Sequence, residues 1–242
     1  MNDLGGSAVE SISSTRKVEE PEDLARVLSG YFHGVVVRTH QDAQLTRMAA
    51  ASRIPVINGL TELHHPCQIL ADLMTLQEVY GHLKGLTLCY IGDGNNILHS
   101  LLLLCPQAGV NLQFSCPTGF QPHPGILEKA ILRTQESKTS ILCTQTPQEA
   151  VRGAQAVYTD VWTSMGFETE KQTREAAFEQ YHVDERLMNL AAPGAVVMHC
   201  LPMERGKEIS LTLPDSPTSV IFEQSENRLH IQKALLVGLL RE

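Results

Sequence analysis

Asp160-Val161-Trp162-Thr163-Ser164-Met165-Gly166 and His199-Cys200-Leu201-Pro202 set an acid, a hydroxyl, an imidazole and a thiol just beyond two short apolar runs, residues 154–159 and 195–198. Side chains at the carboxyl ends of strands are where open α/β sheets bind ligands. A carboxylate at 160 can hold an ammonium group or simply cap the next helix. Cys200 beside His199 raises the idea of a thiolate nucleophile, but successive side chains on a strand point to opposite faces, which argues against that pair. His65-Pro66-Cys67-Gln68 sets proline in a first helical turn, with His65 on the N-cap side and Gln68 one turn in, near the positive end of the dipole. Such a histidine caps the helix. With a cation such as Arg38 at another strand end, it could instead polarise a carbonyl oxygen while the cation clamps an anion. Gly92-Asp93-Gly94-Asn95-Asn96 looks like a dinucleotide loop, yet the third glycine of that motif would fall at Ile97, and no acid ends the next strand. A turn that offers the amides of Asn95 and Asn96 to a polar ligand fits better.

Holding these groups requires an alternation of helix and strand. The periodicity predicts helices over 21–31, 42–51, 66–80, 96–107, 125–135 and 184–190, and a final amphipathic helix over 223–242. Strands fall at 34–38, 54–57, 86–91, 111–115, 140–143, 154–159 and 195–198. Strands that are apolar on both faces, with helices between them, mean parallel sheets covered on both sides, an α/β protein. A boundary is expected near 81–85. Two convincing strands precede it, too few for a covered parallel sheet, so the first part reads as the remnant of a larger domain.

Bulk properties narrow the function. The chain has 242 residues and a net charge of −8, which disfavours a general nucleic-acid or anionic-membrane surface but allows a local cationic pocket. No apolar run approaches the roughly 20 residues that span a bilayer. The six cysteines form no C-x-x-C pair, so neither a zinc site nor a disulfide framework is expected. Met1-Asn2-Asp3-Leu4-Gly5-Gly6 has neither a secretory nor a transit-peptide character.

In their order along the chain, these motifs resemble the ornithine carbamoyltransferases. His-Pro-x-Gln is general to transcarbamylases, whereas Asp160…Ser164-Met165-Gly166 with His199-Cys200-Leu201-Pro202 marks the ornithine branch. Asp23-Leu24-Ala25-Arg26-Val27-Leu28, Lys84-Gly85-Leu86-Thr87-Leu88 and Glu226-Asn227-Arg228 extend the likeness over nearly the whole chain. The resemblance implies two doubly wound parallel-sheet domains of the transcarbamylase type, the first truncated. Residues 1–80 would be the remnant of a carbamoyl-phosphate domain and 81–222 an ornithine domain, with 223–242 a helix packing back on the first. It implies carbamoyl transfer from carbamoyl phosphate to the δ-amine of L-ornithine, giving citrulline and phosphate, without metal or organic cofactor, in a homotrimer. Arg38, His65, Gln68 and Arg228 would bind carbamoyl phosphate. Asn96, Asp160, Ser164, Met165, Cys200 and the Leu201 carbonyl would hold ornithine. Cys200, Asp160, His65 and Arg38 would carry the catalysis.

The family's phosphate-gripping Ser-Thr-Arg-Thr-Arg is missing from the sequence, and Ser13-Ser14-Thr15-Arg16 only resembles it superficially. The alternative is therefore an inactive fragment or isoform serving at most as an amino-acid-binding or interaction module. The segment 86–100 looks animal-like, so a mitochondrial matrix and urea-cycle setting is expected, with the cytoplasm as alternative.

Overall fold

A β-branched run, Val35-Val36-Val37, makes the first strand of a small parallel pair. In the computed structural model, which describes residues 1–10, 19–163 and 168–240, β1 (Val35–Arg38) pairs in parallel with β2 (Val56–Leu60). Two helices, α1 (Pro21–Leu28) and α2 (Asp42–Ala51), pack on each other, and α2 also packs on β2. The strand expected at 54–57 starts later and runs further, taking in Asn58 and Gly59.

The elements that follow build the larger unit. α3 (Pro66–Tyr80) starts on proline and ends on Gly81 at φ 75, a left-handed conformation that glycine adopts at little cost. β3 (Thr87–Ile91), β4 (Asn111–Ser115), β5 (Ile141–Cys143), β6 (Ala156–Thr159) and β7 (Val196–His199) form one parallel sheet in the order β5-β4-β3-β6-β7. After β3 the chain builds outward through β4 and β5, then crosses back to place β6 on the other side of β3. The carboxyl ends of β3 and β6 thus flank a topological switch point, where crevices open in such sheets.

α4 (Asn96–Leu104) and α5 (Pro124–Ser137) cover one face with α3. Ile69, Leu73 and Leu76 of α3 pack in one core cluster with Leu88, Tyr90, Leu98, Leu112, Phe114, Tyr158 and Met198. The other face buries Cys89, Ile91, Val157 and Val197 against Ala150 of α6 (Pro147–Ala150), Leu187 of α8 (Glu185–Met188) and Ile221 of α9 (Ile221–Leu240). α6 and α7 (Lys171–Phe178) escape the sequence reading. α6 is a single turn, signalled only by Thr146, whose hydroxyl accepts from Glu149 N–H. α7 buries only Arg174 and Phe178, so it shows no apolar stripe. α9 lies along α3, and the contact between them is polar as well as apolar: Gln224 Nε2 donates to Asp72 Oδ1 at 2.7 Å, and Asn227 Nδ2 to Glu78 Oε2 at 2.6 Å. The Glu226-Asn227-Arg228 segment falls in the second turn of α9, with Asn227 buried.

Candidate active site

A cleft of about 1200 Å³ opens where β1, the N-termini of α3 and α4, the ends of β6 and β7, and α9 converge. It collects Arg38, His65, Gln68, Asn96, Asp160, Cys200, Leu201 and Arg228 from distant parts of the sequence. Ser164 and Met165 lie outside the described residues, as does Ser13-Ser14-Thr15-Arg16. Every other site residue expected from the sequence lines this one cleft.

One wall is the first turn of α3. His65 is its N-cap residue, but the side chain makes no capping bond. The main-chain N–H of His65 donates instead to Ser100 Oγ of α4, at 2.7 Å, leaving the imidazole for other work. Its Nδ1 is buried, with no partner among the described residues. Burial, then the charges of Arg228 and Arg38, lower the His65 pKa to about 4, so the ring is neutral and carries one N–H to donate. One turn on, Gln68 donates from Nε2 to Asp72 Oδ1 at 2.9 Å, and its Oε1 has no partner among the described residues. Two buried polar atoms three residues apart, both unmatched beside a cleft, are the signature of a site built for a ligand.

The facing wall is built on Asp160, which follows β6 and is buried. Its Oδ2 accepts from Asn95 Nδ2 at 2.7 Å, and its Oδ1 from Val161 N at 2.8 Å and Cys200 Sγ at 3.0 Å. Asn95 cannot turn, because its Oδ1 caps α4 by accepting from Ile97 N and Leu98 N. Gly94 lets the turn lie against its neighbour: a Cβ there would sit 2.3 Å from the Gln121 carbonyl carbon. Asn96 donates to the Thr61 carbonyl at 2.8 Å, tying α4 to the loop before α3. Burial and the neighbouring Asp160 carboxylate push the Cys200 thiol well above its ordinary pKa, so it is protonated and donates.

Beside Cys200, whose thiol donates to Asp160, the His199 ring bonds to other groups. Its Nδ1 accepts from Leu201 N at 2.9 Å and its Nε2 meets the buried Glu208 carboxylate at 3.1 Å, which fixes a neutral tautomer with the proton on Nε2. Asp160, His199 and Cys200 bring potential metal-ligand atoms within 4.8 Å of one another. Each is already engaged in these hydrogen bonds, which a metal ion would have to displace. At the rim, Arg174 donates to Asp93 Oδ2 at 2.7 Å and to the Trp162 carbonyl at 3.0 Å, and its guanidinium lies 4.9 Å from the Phe120 ring centre.

The sequence reading passed over the residues that orient these groups. Asn95 was expected to face the ligand, yet it caps α4 and holds Asp160. Asp72, Gln224 and Glu208 went unnoticed. The available signal was a lone acid inside the apolar run Ile69-Leu70-Ala71-Asp72-Leu73, a place where an unpaired carboxyl would be expensive.

A family model described as "Aspartate/ornithine carbamoyltransferase, Asp/Orn binding domain" matches residues 84–239, and its "carbamoyl-P binding domain" counterpart matches residues 1–78. The chain is 50% identical to an ornithine carbamoyltransferase of Parasynechococcus marenigrum, covering 98% of this chain and 75% of that relative. It is 47% identical to one of Methanothermobacter thermautotrophicus, over 90% of this chain and 72% of the relative. The solved structure of the Pyrococcus furiosus ornithine carbamoyltransferase superposes with a TM-score of 0.90 at 39% identity, covering 94% of this chain and 73% of that one. These relatives correct one expectation: they are bacterial or archaeal, and such cells have no mitochondrial matrix. The animal-like impression of 86–100 does not survive, nor does the urea-cycle setting tied to it.

Proposed function

This chain belongs to the aspartate/ornithine carbamoyltransferase family, and we infer from that premise how its cleft divides the work of carbamoyl transfer to L-ornithine. The δ-amine nitrogen attacks the carbamoyl carbon, the bond from that carbon to the phosphate oxygen breaks, phosphate leaves, and the amine gives up a proton. Citrulline is the product. Such chemistry depends mainly on positioning and on donors aimed at developing charge.

In our reading the α3 wall takes carbamoyl phosphate. The neutral His65 donates to the carbamoyl oxygen, where negative charge grows, and Gln68 Oε1 accepts from the carbamoyl N–H. Arg38 and Arg228 face the anionic end. The Asp160 wall takes ornithine: the carboxylate accepts from its ammonium group, Asn96 with Ser164 and Met165 holds the amino-acid end, and the Leu201 carbonyl is a further acceptor near the reacting amine. Cys200, as a protonated thiol, orients Asp160 and the amine and forms no covalent bond. The observation that carries this assignment is the unmatched pair His65 Nδ1 and Gln68 Oε1 across the cleft from a carboxylate held by three donors. We extend the reading to a division into a carbamoyl-phosphate unit over 1–80, an ornithine unit over 81–222 and a returning helix over 223–242. Assembly as a homotrimer belongs to it too, and sedimentation mass checks that.

Calorimetry with the two half-ligands tests the division. His65→Ala should weaken carbamoyl phosphate binding at least about tenfold and leave L-norvaline, an ornithine without the δ-amine, within about twofold. Equal loss of both ligands, or loss of norvaline alone, would overturn it.

A further inference from the structure

Asp72 is a fully buried acid that does not line the cleft. Burying a carboxyl is costly unless something holds it, and burial pushes its pKa up to about 7, although its hydrogen bonds and Arg228 pull the other way. The Tyr158 hydroxyl faces Asp72 without meeting it in hydrogen-bond geometry, and Asp72 Oδ2 has no hydrogen-bond partner among the described residues. Its two hydrogen bonds there both go to Oδ1.

That oxygen ends a chain of fixed orientations. The main-chain N–H of His199, at the end of β7, can only donate, and it donates to Gln224 Oε1 at 2.9 Å. The Gln224 amide therefore cannot turn, and its Nε2 must donate to Asp72 Oδ1, at 2.7 Å. Asp72 Oδ1 is thereby an acceptor, so Gln68 can present only its Nε2 to it, at 2.9 Å. Gln68 Oε1 is left over, buried and without a partner among the described residues, on a residue that lines the cleft one turn from His65. Which end of the Gln68 amide meets a ligand is thus decided by a strand end and a helix on the far side of α3.

We propose that Asp72, held by Gln224, is a positioning residue that fixes Gln68 with its carbonyl oxygen as the ligand-facing end, so that the site selects a carbamoyl group, H2N–C=O, over a carboxylate of the same shape. The proposal rests on the reading that the α3 wall takes carbamoyl phosphate. A carboxylate would set oxygen against Gln68 Oε1 with no proton between them, whereas an amide supplies the proton.

The test compares two stable ligands, phosphonoacetamide and phosphonoacetate, which differ only in the amide. The unsubstituted protein should bind the amide at least about tenfold more tightly. In Asp72→Leu, which removes the acceptor, the preference should fall to within about threefold. In Asp72→Asn, which keeps an oxygen where Oδ1 stands, the preference should persist. A merely structural role would lower the stability of Asp72→Leu without changing the ratio of the two affinities. A folded Asp72→Leu that keeps a tenfold preference overturns the proposal, and so does an Asp72→Asn that loses it. A measurement on the unsubstituted protein covers the case in which Asp72→Leu does not fold. The Gln68 side-chain amide resonance, assigned by its loss in Gln68→Met, should stay slow to exchange with solvent when phosphonoacetamide saturates the site. If that NH2 swings to the ligand, the proposal is wrong. Failure of the unsubstituted protein to bind either ligand overturns the reading of the α3 wall and this proposal with it. Equal binding of both overturns the proposal alone.

Discussion

Replacing Asp160 by asparagine changes one atom, and the structure shows why so small a change should matter. Both carboxylate oxygens accept from donors: Oδ2 from Asn95 Nδ2, and Oδ1 from Val161 N and Cys200 Sγ. An amide must put its NH2 at one of these places. The Oδ1 place faces a main-chain N–H that cannot turn. The Oδ2 place faces Asn95 Nδ2, which cannot turn without uncapping α4. Either choice sets two donors against each other, and the negative charge that would hold an ammonium group is gone. A hydrogen bond to a charged group contributes roughly 1.5–3 kcal/mol, so affinity for the amino acid should fall about 10- to 150-fold. Calorimetric titration of Asp160→Asn with L-ornithine and with L-norvaline measures this directly. Carbamoyl phosphate binding on the α3 wall should stay within about threefold. Ornithine affinity within about twofold of the unsubstituted protein would refute the assignment of Asp160 to the amino acid.

Three further outcomes are expected. Cys200→Ser should bind both substrates, and mass spectrometry of the unsubstituted protein incubated with carbamoyl phosphate and ornithine should find no carbamoyl group on Cys200; an adduct there would show that the thiol is a nucleophile. Stability should fall on acidification from pH 6.5 to 4.5. Burial lowers His65 and His99 to about 4 from 6.5, so the unfolded chain takes up their protons first, while Asp72, raised to about 7, and Asp93, also raised by burial, oppose them. The net loss is at most about 1 kcal/mol per pH unit, and stability that rises in urea titrations over this range would contradict it. Glu208→Ala strips the partner from His199 Nε2 and from Glu204 N, two donors of which the first is buried. It should cost roughly 3 kcal/mol, seen as a fall in Tm of about 6–12 °C; a change under about 2 °C would mean the pair is dispensable.

The sequence made the alternation, the parallel sheets and the cleft-lining residues legible because each rests on a local pattern. β3 and β6 are apolar but for one terminal threonine each, and α3 opens on proline. What stayed hidden depends on contacts between remote segments. Asp72 and Gln224 are 152 residues apart, and only the packing of α9 on α3 makes them partners. His199 and Glu208 are close in sequence, but nothing local says that a loop returns the glutamate to the strand end. α7 is polar along most of its length, and Arg174 earns its burial through Asp93 and Phe120, which come from two other turns. The expectation drawn from 86–100 failed for a different reason: a strand and a helix N-terminus that build the site report on chemistry and carry little information about the host cell.

The most direct test is the structure of the protein bound to a bisubstrate analogue, a phosphonoacetyl group joined through an amide to the δ-nitrogen of L-ornithine. The phosphonate should lie toward Arg38 and Arg228, and the amide oxygen within hydrogen-bond reach of His65. The amino-acid end should lie across the cleft against Asp160 and Asn96, with Cys200 Sγ unmodified. An analogue bound in the reverse direction, with its phosphonate against Asp160, or bound away from the first turn of α3, would contradict the account.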